Sequence, residues 1–355
     1  MDRFAGVLYD GLKASGYQVR LLKPPSILGR ILPSATGLGK WLGYLDRFLL
    51  FCPLLKKAAN WADVVHICDQ ANAVYAPYLN RKPLVLTCHD MNAIRSAFGE
   101  FTDHTTGPTG KVYQRWILSG LKQARHVACV SNSTYNDVLR LTGLNASKVS
   151  LLRNGFNYPY RRMSEVESLH YLKQLGLGGS QPFFLHVGGN YWYKNKEGLL
   201  LIFRQLIGFK EIQQHKLVLA GESLNHQLRL SAKKIGISDR LQEAPNVTNE
   251  QLCALYSSAE GLIFPSLAEG FGWPIIEAQA CGCLVFTSNS PPMTEIGGNA
   301  AVYFDPLDEI FAARIIWKVV QDSKSLREQG YQNVMKFSTK KMISKYIDCY
   351  RLVMS

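Results

Sequence analysis

No run of about 18 apolar residues, the length a bilayer-crossing helix needs, occurs in these 355 residues. That argues against an integral membrane helix. The opening Met1-Asp2-Arg3 lacks the basic-then-apolar layout of a secretory signal, so the expected compartment is the cytosol. Three N-x-S/T sequons, at Asn132, Asn145 and Asn246, are therefore read as chance. The eight cysteines (Cys52, Cys68, Cys88, Cys129, Cys253, Cys281, Cys283, Cys349) form no C-x-x-C pair. Cys281-Gly-Cys283 is too tightly spaced for a zinc knuckle, and buried reduced thiols are expected instead of a disulfide framework. The eight histidines contain no H-E-x-x-H or H-x-H pairing, so no metal site is expected. No repeat and no low-complexity segment occurs. The balance of 47% hydrophobic to 19% charged residues excludes a disordered or fibrous chain.

What is present divides unevenly. Residues 1–163 hold 21 Lys+Arg against 9 Asp+Glu, a net +12, and the remainder holds 19 against 18, a net +1. A positive half attracts nucleic acid, anionic lipid or an acidic substrate. No nucleic-acid-binding motif accompanies it, so an anionic membrane surface or acidic acceptor is the better partner, and no nucleic acid is expected. The segment from Ile27 to Ala62 mixes Trp41, Tyr44, Phe48 and Phe51 with Arg30, Lys40, Arg47, Lys56 and Lys57. It reads equally as a membrane-surface helix and as a core-facing helix with a cationic outer side.

Short apolar strands alternate with helical patterns, the signature of a parallel α/β chain. The expected strands are Tyr17–Leu22, Val64–Cys68, Leu84–Thr87, His126–Val130 and Val149–Leu152, then Phe183–Val187, Lys216–Ala220, Gly261–Phe264 and Leu284–Thr287. Polar residues with Pro159 interrupt the alternation around 153–175. The length suits two domains: 1–163, with an amphipathic C-terminal helix over 339–355 packing back on it, and 164–338. Two doubly wound, Rossmann-like sheets facing a cleft are the expected architecture. The chain opens on a helical pattern, Phe4, Val7, Leu8 and Leu12, where such domains usually open on a strand. The first strand of the N-terminal domain is expected to be missing, with Met1 an internal methionine or the protein truncated.

The densest local signal is Glu269-Gly270-Phe271-Gly272-Trp273-Pro274-Ile275-Ile276-Glu277, directly after the strand Gly261–Phe264. The glycines permit a tight turn with bare backbone, Pro274 suits the start of a helix, and Gly282 suits its end. A strand, glycine turn and helix leave N–H groups and the positive dipole end facing outward, a ready phosphate site. Glu277 is expected in the helix's first turn. Two carboxylates eight apart are ordinarily solvated surface glutamates; two that bracket G-F-G-x-P are much rarer.

This segment resembles the E-x7-E signature of family 4 glycosyltransferases, retaining enzymes of the two-domain GT-B fold. Val187-Gly188-Gly189-Asn190-Tyr191-Trp192-Tyr193-Lys194-Asn195 is similar to the family's donor-binding Gly…Lys-Asn segment, Val247 to Ala259 to the helix before the signature, and Asn154-Gly155 to the end of the first domain. The resemblance implies that Lys194 meets the donor diphosphate. It further implies that Glu277 holds the nucleotide ribose, and that Glu269 lies over the transferred hexose with Gly270 and the N–H groups of Phe271 and Gly272. Val247 would offer its backbone to the base, and Gly189 and Asn190 would line the donor. Asn190 stands where many members carry an arginine, replacing a bidentate phosphate grip with neutral donors. A surface lysine is the ordinary reading of Lys196. His89, at the end of Leu84–Thr87, is implied to lie near the transferred sugar and acceptor, with Asp90 as its rival or helper. Asp69-Gln70 and Ser131-Asn132-Ser133 share that edge, Ser131 fitting a helix cap equally well. No D-x-D occurs, so no metal and no cofactor is expected beyond the nucleotide sugar itself. The implied function is hexosyl transfer to a glycan or lipid-linked acceptor, in the cytoplasm or peripheral at the inner membrane face. A sugar-nucleotide epimerase of the same fold and a catalytically silent sugar-nucleotide- or glycan-binding homologue are the alternatives.

Overall fold

The computed structural model describes residues 2–24, 42–43, 45–79, 81–102, 104–179 and 181–355. The chain forms two compact units, Met1–Arg153 with Thr339–Ser355, and Asn154–Ser338. The boundary expected at residue 163 falls ten residues beyond this division. Residues 154–163 are bonded to the second unit: Cys253 Sγ donates to Arg161 O at 2.9 Å, Met163 N to Ser257 Oγ at 3.0 Å and Trp273 Nε1 to Gly155 O at 3.2 Å.

The first unit runs α1 (Asp2–Ala14), α2 (Phe51–Trp61), β1 (Val65–Ile67), β2 (Leu84–Cys88), α3 (Asn92–Ala97), α4 (Pro108–Leu121), β3 (His126–Cys129), α5 (Asn132–Thr142) and β4 (Val149–Leu151). The four strands pair in parallel in the order β1-β2-β3-β4. β2 and β3 are buried at every position, which their apolar sequences require of strands covered on both faces. The stripe Phe51, Cys52, Leu55 and Ala59 turns α2 inward against this sheet, so the described part of the 27–62 segment is core-facing. Residues 27–41 and 44 of that segment lie outside the described residues.

Tyr17–Leu22 is not a strand. Residues 17–24 form no regular element, and Tyr17, Leu21 and Leu22 are exposed. An apolar run becomes a strand only where a neighbouring backbone accepts its hydrogen bonds. No strand precedes β1 among the described residues.

The second unit runs α6 (Glu165–Gln174), β5 (Phe183–Gly188), α7 (Lys196–Leu206), β6 (Lys216–Gly221), α8 (His226–Lys234), β7 (Leu241–Pro245), α9 (Asn249–Ser258), β8 (Gly261–Phe264), α10 (Trp273–Ala280), β9 (Leu284–Ser288), α11 (Met293–Gly297), β10 (Val302–Phe304), α12 (Glu309–Val320) and α13 (Lys324–Val334). Its all-parallel sheet has the order β10-β9-β8-β5-β6-β7. The order reverses between β5 and β8. Their carboxyl ends therefore flank the crevice where doubly wound sheets bind ligands.

The chain closes on α14 (Thr339–Met354), which belongs to the first unit and buries Met342, Tyr346 and Tyr350. Tyr346 reaches Thr87 Oγ1 at 2.8 Å, and His66 bridges Tyr350 Oη at 2.7 Å and Thr87 Oγ1 at 2.8 Å. This polar chain ties the helix to β1 and β2. All eight cysteines are free thiols, Cys68 half-buried and the others buried.

Candidate active site

The switch point of the second unit is built from three strand ends. From the last residue of β5, Gly188-Gly189-Asn190 leads into a single turn over Trp192–Lys194, which Leu267 N clips by donating to Tyr193 O at 2.7 Å. Asn195 adopts φ +50° and caps α7, its Oδ1 accepting from Gly198 N at 3.2 Å. The Lys-Asn pair thus divides its work: the asparagine turns the chain, and the lysine is left facing the glycine turn.

After β8, Gly272 has φ +96°, a left-handed conformation that lets the chain turn into α10 without a side-chain clash. Pro274 sits at the second helical position, where no N–H is missed, and no side chain caps this helix. Ile275 N donates back to Gly272 O at 3.0 Å, and the positive end of the helix dipole lies at the glycine turn. Glu277 is the fifth residue of α10 and lies in its second turn, not its first. Glycine rather than proline ends the preceding turn, so the helix begins one residue early.

The structure brings Lys194 and Glu269 together. Nζ and Oε1 are 2.6 Å apart, both side chains are largely buried, and the ammonium lies 4.8 Å from the Phe264 ring centroid. Glu277 is buried at 4% exposure and accepts from the Tyr256 hydroxyl at 3.0 Å. Phe271 is buried with its ring edge-on to Phe337, which holds the Gly270–Gly272 turn in place. Val247 follows Asn246, itself at φ +56°, in the turn between β7 and α9.

Asn190 is engaged by its own loop. Its N–H donates to Glu222 Oε2 at 2.9 Å, Nδ2 donates to Ser223 O at 2.6 Å, and Oδ1 accepts from Lys196 Nζ at 2.9 Å. Lys196 is not the expected surface lysine. It is 4% exposed, its Nζ also donates to Glu222 O at 3.0 Å, and burial pulls its pKa down to about 8 against the opposing pull of Glu222 and Glu243. Glu222, after the close approach of Gly221 to the Gly188 carbonyl, has no counterpart in the expected site. Two buried polar atoms at this edge are without a hydrogen-bond partner, His186 Nε2 and Ser266 Oγ. Burial holds the His186 pKa at about 3, so the ring is neutral.

His89 belongs to the first unit. It is 3% exposed, its Nε2 donates to the Cys68 carbonyl at 2.9 Å, and the Phe4 ring meets it edge-on at 4.8 Å. Gln70 Oε1 accepts from His89 N at 2.9 Å, and Asp69 Oδ1 caps the 70–78 turn by accepting from Ala71 N. Burial lowers the His89 pKa to about 4. Ser131 is a helix cap: its Oγ accepts from Thr134 N at 3.1 Å.

Two family models match, one described as Glycosyltransferase Family 4 over residues 1–158 and one described as Glycosyl transferases group 1 over residues 170–336. The chain belongs to the family 4 glycosyltransferases. This glycosyltransferase is 26% identical over 344 residues to O-antigen chain mannosyltransferase B of Escherichia coli, covering 93% of this chain and 87% of that one. It is 26% identical over 315 residues to GDP-mannose:cellobiosyl-diphosphopolyprenol alpha-mannosyltransferase of Xanthomonas campestris, covering 84% and 76%. The solved structure of WaaG, a glycosyltransferase involved in lipopolysaccharide biosynthesis, superimposes with a TM-score of 0.74 at 16% identity, over 98% of this chain and 95% of that one. The fold is GT-B, and the enzyme is a hexosyltransferase. No helix among the described residues is long and apolar enough to cross a membrane.

Proposed function

We propose that this glycosyltransferase moves a hexosyl group, with retention of configuration, from a nucleotide diphosphate sugar to a glycan or lipid-linked acceptor. The observation that carries the proposal is the Lys194–Glu269 pair at the ends of β5 and β8, beside an uncapped helix start. Lys194 is placed to take up the negative charge that grows on the diphosphate as the sugar leaves. A donor that engages Lys194 shares it with Glu269, which keeps Glu269 beside the hexose rather than beside the phosphates. Glu277 takes the ribose hydroxyls, Val247 the base, and the backbone at Gly189, Gly270, Phe271 and Gly272 the rest of the donor. The acceptor hydroxyl attacks the face that the diphosphate leaves, and a diphosphate oxygen receives its proton. Lys194 and the α10 dipole stand in this scheme where a divalent cation stands in others.

His89, neutral and carrying its proton on Nε2, acts as a hydrogen-bonding and positioning group on the first unit rather than as a cationic acid. The mannosyl specificity of two long-matching relatives makes GDP-mannose the first donor to test. The basic first unit suits peripheral association with an anionic inner membrane face. The test is turnover of a panel of nucleotide sugars against lipid and glycan extracts, with EDTA present, and NMR of the product's anomeric centre. An α-linked product from an α-linked donor supports the reading. An inverted product, or loss of activity with EDTA, overturns the mechanism.

A further inference from the structure

The first unit carries a second concave feature, at the end of its sheet opposite His89. A pocket of about 320 Å³ is lined by Arg81, Lys82, Lys122, Arg125 and Lys148, and the rest of its lining is uncharged. Lys82, Arg125 and Lys148 stand just before β2, β3 and β4, and Lys122 caps the end of α4. The five-residue β2 separates this pocket from His89 by roughly 16 Å. None of the five cations forms an ion pair among the described residues, and Lys82 Nζ only reaches the Asn60 carbonyl at 3.5 Å.

Cations commonly gather at helix carboxyl ends, where the dipole is worth about half a negative charge. Here α4 ends at the pocket, and α2 ends beside Lys82. Together they offset about one charge of five. Some four positive charges remain, facing one concavity with no carboxylate among its lining residues. A cleft lined by one sign of charge concentrates counter-ions of the other. Two guanidinium forks with three ammonium groups match the oxygens of phosphate, Arg by paired hydrogen bonds and Lys as point charges.

We infer that this pocket is a phosphate-binding site of the first unit, separate from the donor site. Its ligand is a phosphate-bearing anion, supplied either as a free phosphorylated molecule or as an anionic lipid headgroup.

The experiment uses the full chain carrying Lys194→Ala, so that the donor site contributes no phosphate binding through that lysine. Inorganic pyrophosphate is titrated calorimetrically, and phosphatidylcholine vesicles with and without phosphatidylglycerol are sedimented with the protein. Adding Arg81→Gln and Arg125→Gln together should weaken binding of the responsive probe by about tenfold or more, since each removes charge-assisted hydrogen bonds. Both arginines are exposed, and an unchanged thermal midpoint shows that the variant folds. Pyrophosphate binding alone identifies the free anion as the source, and binding of phosphatidylglycerol vesicles alone identifies the lipid. No binding of either probe, or equal binding with and without the two arginines, overturns the proposal. Neither result depends on which donor the enzyme uses.

Discussion

The Tyr256 phenol helps to position Glu277. The Tyr256 hydroxyl holds one carboxylate oxygen at 3.0 Å inside a buried environment, so the charge is oriented without being neutralised by that partner. A ribose diol that bonds to such a carboxylate gains charge-assisted hydrogen bonds. Glu277→Ala should therefore weaken binding of the free nucleotide by roughly tenfold or more, measured by calorimetric titration. It should also orphan the Tyr256 hydroxyl, at about 1–3 kcal/mol of stability. Unchanged nucleotide affinity would remove Glu277 from the donor site. Lys194 and Glu269, which the structure brings together, each stand in a short sequence motif of their own, and that is why the sequence singles them out. Lys196 and Tyr256 were not legible, since what defines them is burial against residues from other elements, and the exposed Glu222 is defined only by its bonds to Asn190 N and Lys196 Nζ. A lysine two places after Lys194 reads as solvated until Glu222 and Asn190 are seen to enclose it.

Among the elements, α14 shows how a polar device can hold an amphipathic helix. Tyr346, Thr87, His66 and Tyr350 form one hydrogen-bonded chain between this helix, β2 and β1. Removing one hydroxyl leaves a buried partner unsatisfied. Tyr350→Phe should lower the stability of the first unit by about 1–3 kcal/mol, and Tyr346→Phe by a similar amount. Urea unfolding followed by hydrogen exchange should place that loss in the first unit; an unchanged midpoint would show that the chain is not stabilising. The helix was legible from Met342, Tyr346 and Tyr350, four apart, because that spacing fixes one buried face. The central strands were legible from unbroken apolar runs. β7, Leu241-Gln242-Glu243-Ala244-Pro245, was missed because an edge strand tolerates polar residues and a terminal proline. β10 was missed because three residues carry too little pattern. Tyr17–Leu22 erred in the other direction, having the composition of a strand and no partner.

At the scale of the molecule, five histidines whose pKa burial lowers, His66, His89, His126, His186 and His215, set an acid limit on stability. Burial holds His66 and His186 at about 3 and His89 at about 4, against about 6.5 when unfolded. Above pH 6.5 both states leave the rings neutral and nothing is gained or lost. Below it the unfolded chain binds protons that the folded chain does not, so stability falls as pH drops from about 6.5 toward 4. The slope is about 1.4 kcal/mol per pH unit for each of His66, His89 and His186 once well inside that window. Thermal midpoints recorded between pH 7 and 4.5 should fall accordingly, and a flat profile would contradict neutral burial. The division of charge, +12 against +1, was legible in composition, but where the cations converge was not: Arg81, Lys122 and Lys148 become neighbours only when β2, β3 and β4 align. Lys194 is the residue on which the proposed transfer chemistry depends most directly. Initial rates of hexosyl transfer from the best donor should fall by about 10²–10³-fold in Lys194→Ala, with the fold intact by circular dichroism. A rate within a few-fold of wild type would contradict the account, because no other cation in the second unit pairs with Glu269 among the described residues.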